Sequence, residues 1–300
     1  MKRKTILITG ASSGIGAGMA REFASRGHDL ALCARRTESL ETLRQELESA
    51  HGVRVSVRAL DVTDYAQVFE VFEAFAAEFG TLDRVIVNAG VGNGRRIGKG
   101  HFEINRQTAE TNFIAALAQC EAAVGIFRRQ NAGHLVTVSS MSAKRGLPKH
   151  LTTYAASKAG LALLSEGIRA ELMNTPIKVT TLFPGYIRTE LNEGAGKLPF
   201  EVSAEHARKA LAVAVGLDEI GLQGGDRAQG GDRVLQRRIF VTEDEAAICG
   251  PLGEQAVEFH IVLDARQAQD AALFGGFDGV GEQFFFIDAS DHRAMREDRQ

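Results

Sequence analysis

The chain has no tryptophan and, among its 300 residues, only 3 tyrosines, 5 prolines and 3 cysteines. Cys33, Cys120 and Cys249 lie far apart, without metal-ligand or redox spacing. That excludes a disulfide framework and a cysteine metal site, leaves no metal expected, and predicts a reducing, cytoplasmic setting. Neither sign of charge is in excess: 35 basic against 38 acidic residues leave a net −3, no reason to expect nucleic acid or an acidic surface as partner. The basic stretch NGRRIGKG at 93–100 reads as a solvated loop at a pocket mouth. No apolar run reaches the roughly 18 residues of a membrane span. The opening MKRK leads into TILIT and then a glycine-rich turn, which reads as a buried strand and not a leader.

What is present is an alternation. Short apolar or β-branched runs (TILITG, DLALCAR, VRVSVRALDV, DRVIVNAG, HLVTVSS, KVTTLFPG) are separated by helix-patterned segments at 15–26, 37–50, 64–79, 103–129 and about 152–174. Near-continuous apolar strands with helix-length spacers predict an α/β fold, a doubly wound parallel sheet of the Rossmann type with helices on both faces. Gly27, Gly80 and Gly133 fall between helix-like and strand-like segments, where a left-handed cap is useful. The single domain divides into a dinucleotide-binding and catalytic core, 1–192, and an atypical C-terminal region, 193–300, expected to include the substrate lid. There GLQGGDRAQGGDRVLQRR reads as a flexible loop, and one further strand is expected within 237–263.

After the first strand comes TGASSGIGAG, with glycines at 10, 14, 16 and 18 before a helix. Glycine there lets the backbone approach a pyrophosphate, while the helix N-terminus offers unpaired N–H groups and a positive dipole end. The spacing Gly10-x3-Gly14-x-Gly16 is not the common G-x-G-x-x-G. About twenty residues on, an acidic side chain usually holds the ribose 2′-hydroxyl of NAD and an arginine the 2′-phosphate of NADP. The second strand ends instead in Ala34, Arg35 and Arg36, which favours NADP(H) as cofactor, with Arg35 the preferred phosphate partner.

One of the few tyrosines stands in LTTYAASKAG, residues 151–160. Tyr154 and Lys158 are four apart and share a helix face. A free phenol has a pKa near 10; acid–base work at neutral pH asks for roughly three units less, about 4 kcal/mol, and a neighbouring ammonium supplies part of it. The pair follows the strand HLVTVSS, whose carboxyl end sets hydroxyls at Ser139 and Ser140 on the ligand side of the sheet.

With Thr9-Gly10-x3-Gly14-x-Gly16, Asp61-Val62, Asn88-Ala89-Gly90, Asn112, the serine strand, Tyr154-x3-Lys158 and Pro184-Gly185 before Thr189, residues 4 to about 192 resemble the short-chain dehydrogenase/reductase family. The resemblance implies catalytic roles for four residues. Tyr154 is the general acid/base, Lys158 lowers its pKa and binds the nicotinamide ribose, Ser140 holds the substrate oxygen, and Asn112 orders a water leading to Lys158. It also implies cofactor contacts from Ser12, Ser13, Ile15 and Gly16 in the first turn, from Asp61 and Val62 at the adenine, and from Asn88, Ala89 and Gly90 beneath the adenosine. Pro184, Gly185, Ile187 and Thr189 complete the set at the carboxamide end. Pocket walls are expected from 91–100, Leu147, His150 and 186–191. The implied activity is NADP-dependent interconversion of a small-molecule carbonyl and a secondary alcohol, in a homodimer or homotetramer paired through 103–129 and 152–174. A non-catalytic NADP(H)-binding sensor or scaffold is the alternative.

The pattern departs from the family in two places. Ser140 lies fourteen residues before Tyr154, where thirteen is commoner, and from about 210 onward the similarity stops. The abrupt change from FEVSAEHARKAL to GGDRAQGGDR fits either a divergent substrate and interface region or a tail produced by a shift of reading frame.

Overall fold

A strand covered on both faces must be apolar along its whole length, and β1 (Thr5–Thr9) and β4 (Arg84–Val87) are buried at every residue. The computed structural model describes residues 4–185 and 238–239. Within it, β1 and β4 are joined by β2 (Asp29–Ala34), β3 (Val55–Ala59), β5 (Gly133–Val138), β6 (Ile177–Leu182) and the short β7 (Arg238–Ile239). All pair in parallel in the order β3-β2-β1-β4-β5-β6-β7. The added strand expected within 237–263 is β7, in register with Thr181 and Leu182 of β6.

The period of two along each strand sorts side chains into two layers. Ile6, Ile8, Leu30, Leu32, Ile86 and Val136 share one layer with Met19 and Phe23 of α1 (Gly14–Ser25) and Leu40, Leu43 and Leu47 of α2 (Thr37–His51). Leu7, Ala31, Val85, Val87 and Leu135 share the other with Phe72 and Phe75 of α3 (Tyr65–Phe79), Phe127 of α5 (Ala115–Gln130) and Leu161 of α6 (Thr152–Glu171). Each such side chain contributes about 1.5–3 kcal/mol on burial, so these two layers carry the fold. Cys33 and Cys120 are buried within the second layer, and burial pushes both thiols up, the latter to about 12, which leaves them inert.

One expectation from sequence needs correction. Gly27 and Gly80 do adopt the left-handed conformation, with φ of 80° and 79°. Gly133 does not cap a helix: it opens β5 with φ of 157°, and α5 is closed by Asn131 at φ 49°. A Cβ at Gly133 would lie 2.1 Å from the Phe127 ring, so the residue is glycine for room. The helix expected over 103–129 is present without interruption, as α4 (Phe102–Ala109), a π-turn over Glu110–Ile114 and α5, with helical dihedral angles at both junctions. The expected boundary at 192, Cys249 and the expected site residues Ile187 and Thr189 lie outside the described residues.

The order of strands reverses between β1 and β4, which are neighbours although two strands separate them in sequence. In open α/β sheets that reversal leaves a crevice at the carboxyl ends, where the connecting chains part to opposite faces.

Candidate active site

The seam between β1 and β4 is closed by side chains at their carboxyl ends. Thr9 Oγ1 accepts from the Asn88 amide at 3.0 Å and the Ala89 amide at 3.1 Å, while Asn88 Nδ2 donates to Thr9 O at 2.9 Å and Gly10 O at 3.4 Å. Thr9 and Asn88 thus fix the floor of the crevice. Above it the chain turns at Gly10, with φ of 64°. A Cβ at Gly16 would stand 2.4 Å from Gly10 O and 2.7 Å from Asn88 Nδ2, so only glycine lets the first turn of α1 settle onto this floor.

The start of α1 fits a dinucleotide phosphate. Ser13 is the N-cap residue, yet its hydroxyl makes no cap bond. The amides that open the helix therefore face the crevice without a side-chain acceptor. The Ser13 hydroxyl instead accepts from Arg36 Nη2 at 2.5 Å, and Ser12 Oγ accepts from Arg36 Nε at 3.3 Å. Arg36, the residue before α2, is thereby set on the cradle. Arg35, the one singled out from sequence, interacts electrostatically with Asp61 instead. Partial burial raises the Asp61 carboxyl, but bonds from Thr63 N and Thr63 Oγ1 and the charge of Arg35 outweigh it and hold it below the ordinary range. Asp61 does not cap α3, because Asp64 does, accepting from Gln67 N. Val62 beside it is buried.

The second half of the site lies past β4 and β5. Lys158 is 5% exposed, and its Nζ donates to Val138 O, at the end of β5, at 2.8 Å. Burial lowers its pKa from 10.5 to about 8. A Cβ on Gly90 would approach Lys158 Nζ to 3.4 Å and Asn112 Oδ1 to 3.1 Å, which places the β4 turn directly over both groups. Asn112 sits buried in the π-turn; its Oδ1 accepts from Val91 N at 2.8 Å, and its Nδ2 donates to Val91 O at 2.9 Å and to Ser157 Oγ at 3.3 Å. Asn112 thus satisfies part-buried backbone at Val91.

Tyr154 is half-buried in the first turn of α6, one turn before Lys158 and on the same face. The two serines divide their work. Ser139 Oγ donates to Lys158 O at 2.8 Å and so anchors the helix. Ser140 Oγ accepts from Ser142 N at 3.1 Å, which leaves its proton for another acceptor. Pro184 O accepts from Met141 N at 3.0 Å, bringing the end of β6 and Gly185 beside the serine turn. Sequence reading missed the anchoring of α6 through Ser139 and the lysine's bond to Val138; Ser139's place in the strand HLVTVSS was its only signal.

A parallel sheet whose switch point carries a glycine phosphate cradle on one side and a tyrosine–lysine–serine group on the other defines a nucleotide-binding oxidoreductase. The chain belongs to the short-chain dehydrogenase family, whose model matches residues 4–197. An uncharacterized oxidoreductase of Mycobacterium tuberculosis is 48% identical over 214 residues, 71% of this chain and 85% of the relative. Bovine dehydrogenase/reductase SDR family member 7B is 32% identical over 200 residues, 65% of this chain and 61% of the relative. Among solved structures, a short-chain dehydrogenase from Sphingobium yanoikuyae in complex with NADPH is similar with a TM-score of 0.65 and 32% identity, covering 72% of this chain and 85% of that one. The alcohol dehydrogenase of Thermococcus sibiricus complexed with 5-hydroxy-NADP gives 0.65 at 27% identity, over 70% and 89%. The family uses a nicotinamide cofactor.

Proposed function

We propose that the protein is an NADP(H)-dependent oxidoreductase that interconverts a carbonyl compound and a secondary alcohol. The observation that carries this reading is the buried Lys158 ammonium, pinned beneath Gly90 on the helix face it shares with Tyr154. A buried cation there has no packing purpose and is costly unless it supports chemistry.

Gly10, Ser12, Ser13, Gly14, Ile15 and Gly16 would hold the pyrophosphate, Asp61 and Val62 the adenine end, Asn88, Ala89 and Gly90 the floor, and Pro184 and Gly185 the carboxamide end. Arg36, already on the serine hydroxyls, and Arg35 beside it favour a 2′-phosphate over a free hydroxyl. When bound, the nicotinamide supplies or accepts the hydride.

The chain's own residues do the rest. Ser140 donates to the substrate oxygen and orients it. In reduction Tyr154 gives its phenolic proton to that oxygen as the carbon receives hydride; in oxidation the phenolate takes the proton back. Lys158 stabilises the phenolate electrostatically. Asn112, fixed to Val91, holds the π-turn beside Lys158 and would seat the water that returns the proton. A second copy of the chain would pair against the π-turn with α5 and against α6, where Ile114 and Leu163 are 40% and 69% exposed.

The test is Tyr154→Phe. Turnover of ketones monitored at the nicotinamide absorbance should fall at least a hundredfold, about the value of one acid–base group, while the Kd for NADPH stays within a few-fold. Near-normal turnover removes the assigned role.

A further inference from the structure

Charge is unevenly distributed at the carboxyl edge of the sheet. The chain carries 35 basic and 38 acidic residues, yet no aspartate or glutamate occurs from Arg84 to Phe102 or from Ala122 to Ser165. These two spans contain the chain that leaves β4 and the chain that runs from β5 to Tyr154. Arg95, Arg96, Lys99 and His101 come from the first; Lys144, Arg145, Lys149 and His150 come from the second. All of these except Lys144 are exposed, and Lys144 lies over the Phe183 ring at 4.7 Å. An ordinary solvated face mixes both signs.

The fold brings the two spans together. A Cβ on Gly94 would fall 2.1 Å from His150 O, so the peptide before Arg95 rests directly on the turn that carries Lys149 and His150. Asn105 Oδ1 accepts from Arg95 N at 2.8 Å, and the Arg95 guanidinium donates to Asn93 O at 3.2 Å and Gly94 O at 3.0 Å, which holds the charge on this loop. Lys149 has a φ of 66°; a lysine stands where glycine would relieve the strain. The next carboxylates along the chain are engaged elsewhere: Glu103 accepts from Arg106 Nε at 2.9 Å, and Glu110 accepts from Tyr65. The cofactor does not account for this patch either, because the Ser12–Ser13–Arg36 cradle follows β1 and β2, across the switch point.

We propose that the substrate carries an anionic group, a carboxylate or a phosphate, held between the 94–99 loop and the Lys149–His150 turn while its carbonyl reaches Tyr154. This deepens the reductase reading and rests on it. One exposed ion pair is weak, but a mouth lined, among the described residues, by a single sign concentrates anions and aligns them before contact. Ile97 and Phe102, 65% and 70% exposed beside the cations, suit an apolar body between the two ends.

The probes are 4-oxononanoate and its methyl ester, with NADPH. At low salt the acid should exceed the ester in kcat/KM by about tenfold, and the ratio should shrink at about 1 M ionic strength, where the screening length is only about 3 Å. In the double variant Arg96→Gln with Lys149→Gln, whose melting curve confirms the fold, the ratio should fall toward one. Reduction of acid and ester with equal kcat/KM by the wild-type protein, or an undiminished ratio in the variant, overturns the inference and leaves the reductase reading standing. If no ketone, charged or neutral, is reduced, the reductase reading fails instead. Calorimetric titration of 4-oxononanoate into the NADPH-loaded protein then decides: binding lost in the variant upholds the anion site, and absent or unchanged binding overturns it.

Discussion

Lys158 meets two opposed demands. An ammonium with 5% exposure has lost most of its water, and the single carbonyl of Val138 replaces only part of it. Its drop from 10.5 to about 8 corresponds to a cost on the order of 3 kcal/mol in the folded state. The folded value lies below the unfolded one, so this cost is fully present below about pH 8 and is relieved as pH rises from there through 10.5. Lys158→Met should therefore lose turnover yet melt no lower than the wild-type protein at pH 7, the difference narrowing toward pH 10. Calorimetric melting across that range checks it, and a large destabilisation at pH 7 contradicts it. The arginines teach a different lesson at this scale. Arg35 and Arg36 are indistinguishable by composition, and which one reaches the serines is decided by the direction in which β2 ends and α2 begins.

At the scale of elements, strands were legible as short runs apolar throughout, as in TILIT, and helices where apolar residues recur every third and fourth, as in YAQVFEVFEAF, because a strand between two layers is buried on both faces and a helix on one. The Tyr154-x3-Lys158 spacing and the glycine turn were legible for a similar reason, since a helix pitch and a tight turn are local. What failed was set by distant contacts. The π-turn inside the 103–129 helix has no local signal, and Asn112 within it is bound to Val91, 21 residues away. Gly133 looked like a cap because glycine often is one, whereas the space a Cβ would take there is filled by the Phe127 ring of the preceding helix. Gly133→Ala should destabilise the protein by about 1–3 kcal/mol in urea unfolding, as overpacking does. A second change, Phe127→Leu, should recover part of that loss.

On the scale of the whole molecule, the sheet divides the work at one seam. On one side of it, β1 to β3 carry the glycine turn with Ser12, Ser13 and Arg36; on the other, β4 to β6 carry Asn88 and Gly90 together with Ser140, Tyr154 and Lys158. The α6 helix adds an outward face, and Leu163 on it is 69% exposed. On the proposed pairing through this face, Leu163→Arg should shift the protein toward monomer, read as a lower mass in sedimentation, with the monomer still folded. The Asn112 clasp gives this layout a further property. One side chain holds both the N–H and the C=O of Val91, as a neighbouring strand would, and Asn105 holds Arg95 a few residues on. The loop beyond is tethered at two points, like a bridge deck between piers. Residues on it can be exchanged, and its charge rewritten for another substrate, while the lysine beneath Gly90 stays where it is.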